Sequence, residues 1–491
     1  MKNDQGFANL IYEYFVVRFH FQYYKYGDTL PTIEALCRQY SVSSLTIKSA
    51  FKRLEEEGYI SRSHGRSARV LFRCGDKDLD EFAVHFFSER REGIPDLYQS
   101  TELIFLPMLT KGLMLMEEKD FVYLENLAKQ TVPEDQIRFY CFILQKTRNP
   151  LIMNLFWEST LYMGLPFPIL HRGTALYDAE ASRQRLTDLI DGGRQRDPER
   201  ICEAHIAFQR DVSKKIIGYI NSRLPAIPDK KQVPFLWNIY RDRPQICCGL
   251  AIRIIHDVYM GDFQDMEFLP SYEKMAQRYQ VSVSTMRRTV SLLNSLGATQ
   301  SVNGKGTRVL LLSGSGTQNI PDLTPPAIRR NLAYYIQSFE LLAESCKNVM
   351  GFVFKAFSEE EKAELSGILE RYLRSGRYFI SAQSIFAFAA EHSPLQVIQD
   401  IYGKLYGLNL WGYPMKVYRL RMPGLNQTMI QFTNNILGRI SQNDADGFAS
   451  AIGEFMKNEY DIAVEILLEH GFTKEELYLS PSFSLLETDI I

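Results

Sequence analysis

The stretch LPTIEALCRQYSVSSLTIKSAFKRLEEEGYISRSHGRSARVL, residues 30–71, returns as LPSYEKMAQRYQVSVSTMRRTVSLLNSLGATQSVNGKGTRVL at residues 269–310, with a constant offset of 239 and no gap. Leu30-Pro31, Tyr40, Val42-Ser43, Thr46, Leu54, Gly58, Gly65 and Arg69-Val70 recur as Leu269-Pro270, Tyr279, Val281-Ser282, Thr285, Leu293, Gly297, Gly304 and Arg308-Val309. A small module carried twice and far apart points to two uses of one surface.

Each copy reads as helix, short turn, helix and two-stranded ribbon. Leu30 before Pro31 is held in extended conformation, and Thr32 is placed to cap a helix running to about Tyr40. Ser43 is the next capping candidate. Behind it, Ile47, Ala50, Phe51 and Leu54 share one helical face at spacing i, i+3, i+4, i+7. Gly58 suits the left-handed position that ends such a helix. Strands are expected over residues 59–62 and 68–72, joined through His64-Gly65-Arg66, and in the second copy over 298–302 and 307–311, joined through Asn303-Gly304-Lys305-Gly306. Residues 11–26 supply the first helix of the first copy. This order is a winged helix-turn-helix, whose second helix fits the major groove of DNA. Its outward face carries Leu45, Lys48, Ser49 and Lys52 in copy one, and Ser284, Arg287, Arg288 and Ser291 in copy two.

Charge agrees with this reading. The 491-residue chain has a net charge of −2, with 56 Lys and Arg against 58 Asp and Glu. Residues 38–73 nevertheless hold eight basic and three acidic side chains, and residues 270–312 hold six and one, so each copy is locally +5. Local positive charge in a neutral protein is the footprint of phosphate binding. A solvated face of a protein-interaction module is the bland alternative.

These residues resemble the DNA-binding domain of GntR-type bacterial transcription regulators. The resemblance rests on Gly27-Asp28, Leu30-Pro31-Thr32, Val42-Ser43-Ser44-Leu45-Thr46-Ile47-Lys48 and Leu54 to Gly58 in copy one. In copy two it rests on Leu269-Pro270-Ser271, Val281-Ser282-Val283-Ser284-Thr285-Met286-Arg287 and Gly304-Lys305-Gly306-Thr307-Arg308-Val309. It implies DNA contact through Ser43, Ser44, Thr46, Lys48, Lys52, Arg53, His64, Arg66 and Arg69, and through Ser282, Ser284, Thr285, Arg287, Arg288, Lys305 and Arg308, with Lys274 beside them. There are departures. The family's Arg after the capping Ser is Ser44 in one copy and Val283 in the other, and Ser67 replaces the second wing glycine of copy one. The two recognition faces differ, so the heads are expected to read different half-sites.

A helix-rich region follows each copy. Asn149-Pro150 and Ser393-Pro394 both offer an N-cap followed by proline, each preceded by an apolar run, residues 139–144 and 385–390. This is similar to the helical effector domain of the FadR-like (FCD) branch of GntR regulators. Many of that class bind metal through Asp and His on facing helices. Here Phe139-Tyr140 stands where Phe-His is usual, and His85, His171, His205, His392 and His470 are scattered, so no metal site and no cofactor are expected.

The fold expected is mainly α, with two winged helix-turn-helix domains, each followed by an all-helical domain. The order is a winged helix over residues 1–75, a helical domain over 80–223, a Pro-rich linker over 224–234, a winged helix over 235–312, a linker over 313–326 and a helical domain over 327–491. At 45% hydrophobic residues the chain has enough apolar side chains to fill several cores. Seven dispersed cysteines without a pairing framework point to reduced thiols and a cytoplasmic protein. No signal-peptide layout opens the sequence and no apolar run approaches a membrane span. There is no P-loop, Gly-x-Ser-x-Gly, His-Glu-x-x-His or Gly-x-Gly-x-x-Gly, so no enzyme is expected. The partners expected are double-stranded DNA and a small-molecule effector, with the chain acting as a monomeric pseudo-dimer or a homodimer. A replication initiator with two winged helices, or a winged-helix scaffold that has lost DNA binding, stays open at the level of sequence.

Overall fold

The computed structural model describes residues 6–40, 42–63, 67–129, 133–164, 179–239, 246–259, 263, 266–310, 321–419 and 422–478. The chain divides into two compact units. The first comprises Met1–Arg241 with Leu395–Val397, and the second Asp242–Pro394 with Ile398–Tyr478.

The first unit opens with α1 (Gly6–His20), α2 (Ile33–Tyr40) and α3 (Ser44–Glu56), followed by β1 (Ile60–Ser61) and β2 (Arg69–Val70). Helix α1 is apolar around most of its circumference, and such a helix must be covered on several sides. It packs against α3, against α4 (Asp76–Ser88) and against α8 (Pro150–Tyr162). Phe15 and Phe51 meet edge to face with centroids 5.5 Å apart. Both rings are fully buried, and each such burial stabilises by about 1.5–3 kcal/mol. The apolar set expected on α3, Ile47, Ala50, Phe51 and Leu54, is the buried set. Gly58, at φ +80°, ends the helix, and the Tyr59 N–H turns back to the Leu54 carbonyl at 2.8 Å. The strands are shorter than the sequence suggested, because Leu71 and Phe72 both donate to the Tyr59 carbonyl and regular pairing stops there.

Among its described residues this unit continues with α4, α5 (Gly93–Met114), α6 (Glu118–Lys129), α7 (Pro133–Gln145), α8, α9 (Ala179–Arg194) and α10 (Pro198–Arg223). Asn149 caps α8 with Pro150 in its first turn, as its sequence signature requires. The stretch expected to be a linker, 224–234, is instead held on the unit. The Val233 N–H donates to the Glu89 carbonyl at 2.7 Å, and the Gln232 amide donates to the Ser88 carbonyl at 3.0 Å. Phe235 and Trp237, which the sequence reading placed in the second module, are buried here, and the Trp237 indole donates to Asn154 Oδ1 at 2.7 Å. A buried indole needs an acceptor, and Asn154 on α8 supplies it. Residues 235 and 237 therefore belong to the first unit, and not to the expected second module.

The second unit contains α11 (Ile246–Tyr259), α12 (Tyr272–Arg278), α13 (Val283–Ser295), β3 (Thr299–Val302) and β4 (Gly306–Val309). Its hydrogen bonds match those of the first unit at the 239-residue offset. Val42 N–H to the Cys37 carbonyl corresponds to Val281 to Ala276, Leu30 to Ala68 corresponds to Leu269 to Thr307, and Val70 to Asp28 corresponds to Val309 to Glu267. The pairs Ile60↔Val70 and Thr29↔Arg69 correspond to Thr299↔Val309 and Phe268↔Arg308. Beyond lie α14 (Pro326–Ala356), α15 (Glu359–Ser375), α16 (Ser381–His392), α17 (Gln396–Asn409), a 3-10 stretch at Leu410–Met415, α18 (Lys416–Arg419), α19 (Leu425–Ser441), α20 (Ala445–Glu469) and α21 (Lys474–Leu477). The long helices α14 and α20 pack on each other, and α19 lies against both α15 and α20. Helix α17 starts at Gln396, so Ser393-Pro394 lies just outside it rather than in the expected capping positions. Among the described residues no helix is long and apolar enough to cross a membrane.

Candidate nucleic-acid interface

Helix α3 is fixed on its inner face by the α1 core and at its start by a side-chain cap. The Ser43 hydroxyl accepts from the Thr46 N–H at 3.2 Å and lies 2.9 Å from Thr46 Oγ1. This satisfies an N–H that the helix itself leaves unpaired. What remains outward is Ser44, Leu45, Lys48, Ser49 and Lys52, all exposed. Leu45 is 70% exposed, unusually far for a leucine of this chain. Lys52 makes only a 3.6 Å surface pair with Glu56, and such a pair contributes little.

Arg53 has another task. Its guanidinium lies 3.6 Å from the Tyr12 ring centroid and donates to Glu57 Oε1 and Asn9 Oδ1, each at 3.0 Å. The Tyr12 hydroxyl donates to Glu57 in turn. Arg53, itself still exposed, thus also joins α1 to the end of α3. Arg62 is likewise held by Glu55, through contacts of 2.8 and 2.5 Å. Glu55's carboxyl is lowered in pKa chiefly by that hydrogen bond. Arg69 is exposed on β2. His64 and Arg66 lie outside the described residues.

In the second unit Ser282 repeats the cap, accepting from the Thr285 N–H at 3.1 Å, with Ser284 Oγ and Thr285 Oγ1 each 2.8 Å away. Ser284, Arg287, Arg288 and Ser291 form the exposed face of α13, and Lys274 on α12 is exposed as well. Helix α13 carries no acidic residue, whereas α3 ends in Glu55 and Glu56. The α13 face is therefore the less compensated of the two. The turn between β3 and β4 holds Gly304 at φ +75° and Gly306 at φ +111°, conformations that a side chain resists. It exposes Lys305, and the neighbouring Arg308 lies 3.2 Å from Glu267. The structure places Lys48 and Lys52 on the exposed face of α3, and Arg287 and Arg288 on that of α13. The contacts of Arg53 with Tyr12, Glu57 and Asn9 are not foreseen from the sequence. The local signal was Tyr12, Arg53 and Glu57, of which only the i, i+4 pair is visible without the fold. Among the described residues, no three His, Cys, Asp or Glu side chains converge to hold a metal ion.

The model of the bacterial regulatory proteins of the gntR family matches residues 12–70. The chain matches no curated protein. Among solved structures, Streptococcus agalactiae GntR is 15% identical with a TM-score of 0.21, covering 44% of this chain and 100% of its own. E. coli McbR/YncC is 16% identical with a TM-score of 0.23, covering 44% and 98%. Lar, which controls the expression of the Listeria monocytogenes agr system, is 9% identical with a TM-score of 0.24, covering 46% and 100%. The assignment rests on the family match to residues 12–70, the span that holds α2, the capped α3 and the β1–β2 wing: these residues form a gntR-family winged helix-turn-helix domain.

Proposed function

We propose that the chain is a DNA-binding transcription regulator with two winged-helix heads in one polypeptide, fused head to tail and reading an operator as an intrachain pseudo-dimer. The observation that carries this is the correspondence of caps, turns and strand register at the 239-residue offset, with a basic exposed face on α3 and on α13. A helix N-terminus capped and turned outward is the part of such a module that meets base edges, while lysines and arginines beside it meet phosphates. Lys48, Lys52, Lys274, Arg287 and Arg288 are the groups we assign to DNA contact, with Arg69, Lys305 and Arg308 on the wings. The helical regions 80–223 and 327–478 would set the spacing of the heads, about 34 Å for successive major-groove turns, and respond to a small molecule. The protein would act in the cytoplasm. A replication initiator with two adjacent heads fits less well, because a long helical region, with α4 to α10 among its described residues, separates the modules.

Binding of the full chain to genomic DNA fragments, measured by fluorescence anisotropy from 50 to 300 mM salt, tests this. A log–log slope of about −5 or steeper is expected from the phosphate contacts assigned. An affinity that does not respond to salt would leave the scaffold alternative in its place.

A further inference from the structure

Leu45 is 70% exposed and stands on the outward stripe of α3, which it shares with Lys48, Ser49 and Lys52 at spacing i, i+3, i+4 and i+7. The other three residues of that stripe are polar or basic, and the core face of α3 is Ile47, Ala50, Phe51 and Leu54. Leu45 is the second residue of the helix, two positions after the Ser43 cap. Helical side chains lean toward the N-terminus of their helix, which sets Leu45 at the leading end of α3, ahead of the lysines. The first turn, Ser44 to Ile47, brings no charged side chain to that end. A single exposed leucine on an ordinary surface calls for no explanation. This one lies where the second helix of such a module meets base edges, within the residues that match the gntR family.

The chemistry of the major groove limits what Leu45 can meet there. Guanine, cytosine and adenine show hydrogen-bond donors and acceptors on that edge, whereas thymine adds a C5 methyl group. An isobutyl group pressed on a donor or acceptor removes its water and returns no hydrogen bond. Pressed on the methyl, it takes apolar surface of both partners out of water. Residues 38–73 hold eight basic and three acidic side chains, so the polyanion that carries the base is drawn to this face. In the second copy the equivalent position is Ser284, whose Oγ lies 2.8 Å from Ser282 Oγ. The demand for an apolar partner at this position therefore belongs to the first head alone.

We propose that Leu45 is a base-reading residue of the first head, and that it selects a thymine in the half-site under α3 by contact with the C5 methyl group. This rests on the DNA reading above and names one base within it.

Selection of duplexes from a random pool with the full chain supplies an operator, and each of its thymines is then replaced singly by uracil. Uracil lacks only the methyl group and keeps the hydrogen-bonding edges. At one thymine or more, the replacement should weaken binding about four-fold in fluorescence anisotropy, the effect of burying about one methyl group. In the Leu45→Ser variant, thymine and uracil at that position should bind alike, while uracil effects at other positions stay as they were. Because Leu45 is exposed, the variant should melt with the parent chain, which shows the head intact. Specific binding that ignores every uracil, or uracil effects that all persist in the variant, overturns the proposal and leaves the regulator reading standing. A chain that binds no duplex overturns both.

Discussion

Arg53 and Lys52 are neighbours in sequence with opposite fates. Lys52 points outward with a loose partner, while Arg53 stacks on Tyr12 and is bonded to Glu57 and Asn9. The fold needs the second and the DNA reading needs the first. Lys52→Ala should reduce the salt slope of DNA binding by about one and leave thermal stability within about 0.5 kcal/mol. Arg53→Ala should instead lower stability by about 0.5–1 kcal/mol, through lost stacking on Tyr12, with the slope nearly unchanged. Urea unfolding beside anisotropy titrations separates the two. Equal slopes lost in both variants would mean that Arg53 also reaches the backbone of the duplex.

At the scale of elements, local rules carried far and then stopped for identifiable reasons. The buried set Ile47, Ala50, Phe51 and Leu54 was legible because one helical period brings those residues to one face. The caps at Ser43 and Ser282 and the helix end at Gly58 were legible because each satisfies backbone groups within a few residues. The outward basic faces followed from the same periodicity. The place of Phe235 and Trp237 was not legible, because Trp237 is fixed by Asn154, far away in sequence, and its prolines imitate a linker. A cavity in the second unit was hidden for a like reason, since its wall draws on α11, α14, α16, α19 and α20 together. Aromatics at helical spacing say that a helix is covered, not whether another helix or a ligand covers it. The link that Arg53 makes to α1 was not legible, because its stacking partner Tyr12 sits outside the repeated stretch.

Across the whole molecule, acid is a lever that the buried histidines provide. His205 on α10 is only 4% exposed, and burial pushes its pKa down to about 4. His20, stacked on Phe82 with centroids 3.9 Å apart, is pushed down to about 4 for the same reason. The unfolded chain takes up protons on these rings from about pH 6.5, while the folded chain resists until about pH 4. Stability is therefore unaffected above pH 6.5, falls as pH drops toward 4, and gains no further penalty from these groups below that. For His205 the loss is on the order of 3 kcal/mol. Urea midpoints at pH 7, 5.5 and 4 should fall in that order, and His205→Phe should fall less steeply. A variant that tracks the parent chain across the range would show that other groups govern acid unfolding.

In the proposed function, one chain places two unlike heads on one operator. Two double variants divide the heads: Lys48→Ala with Lys52→Ala, and Arg287→Ala with Arg288→Ala. Hydroxyl-radical footprinting on a single selected operator, with the parent chain and each variant, reads the heads separately. The account predicts two protected half-sites of different sequence in the parent chain, with each variant losing protection over a different half. Loss of both halves together in either variant, or protection untouched by the Arg287 and Arg288 changes, would contradict it.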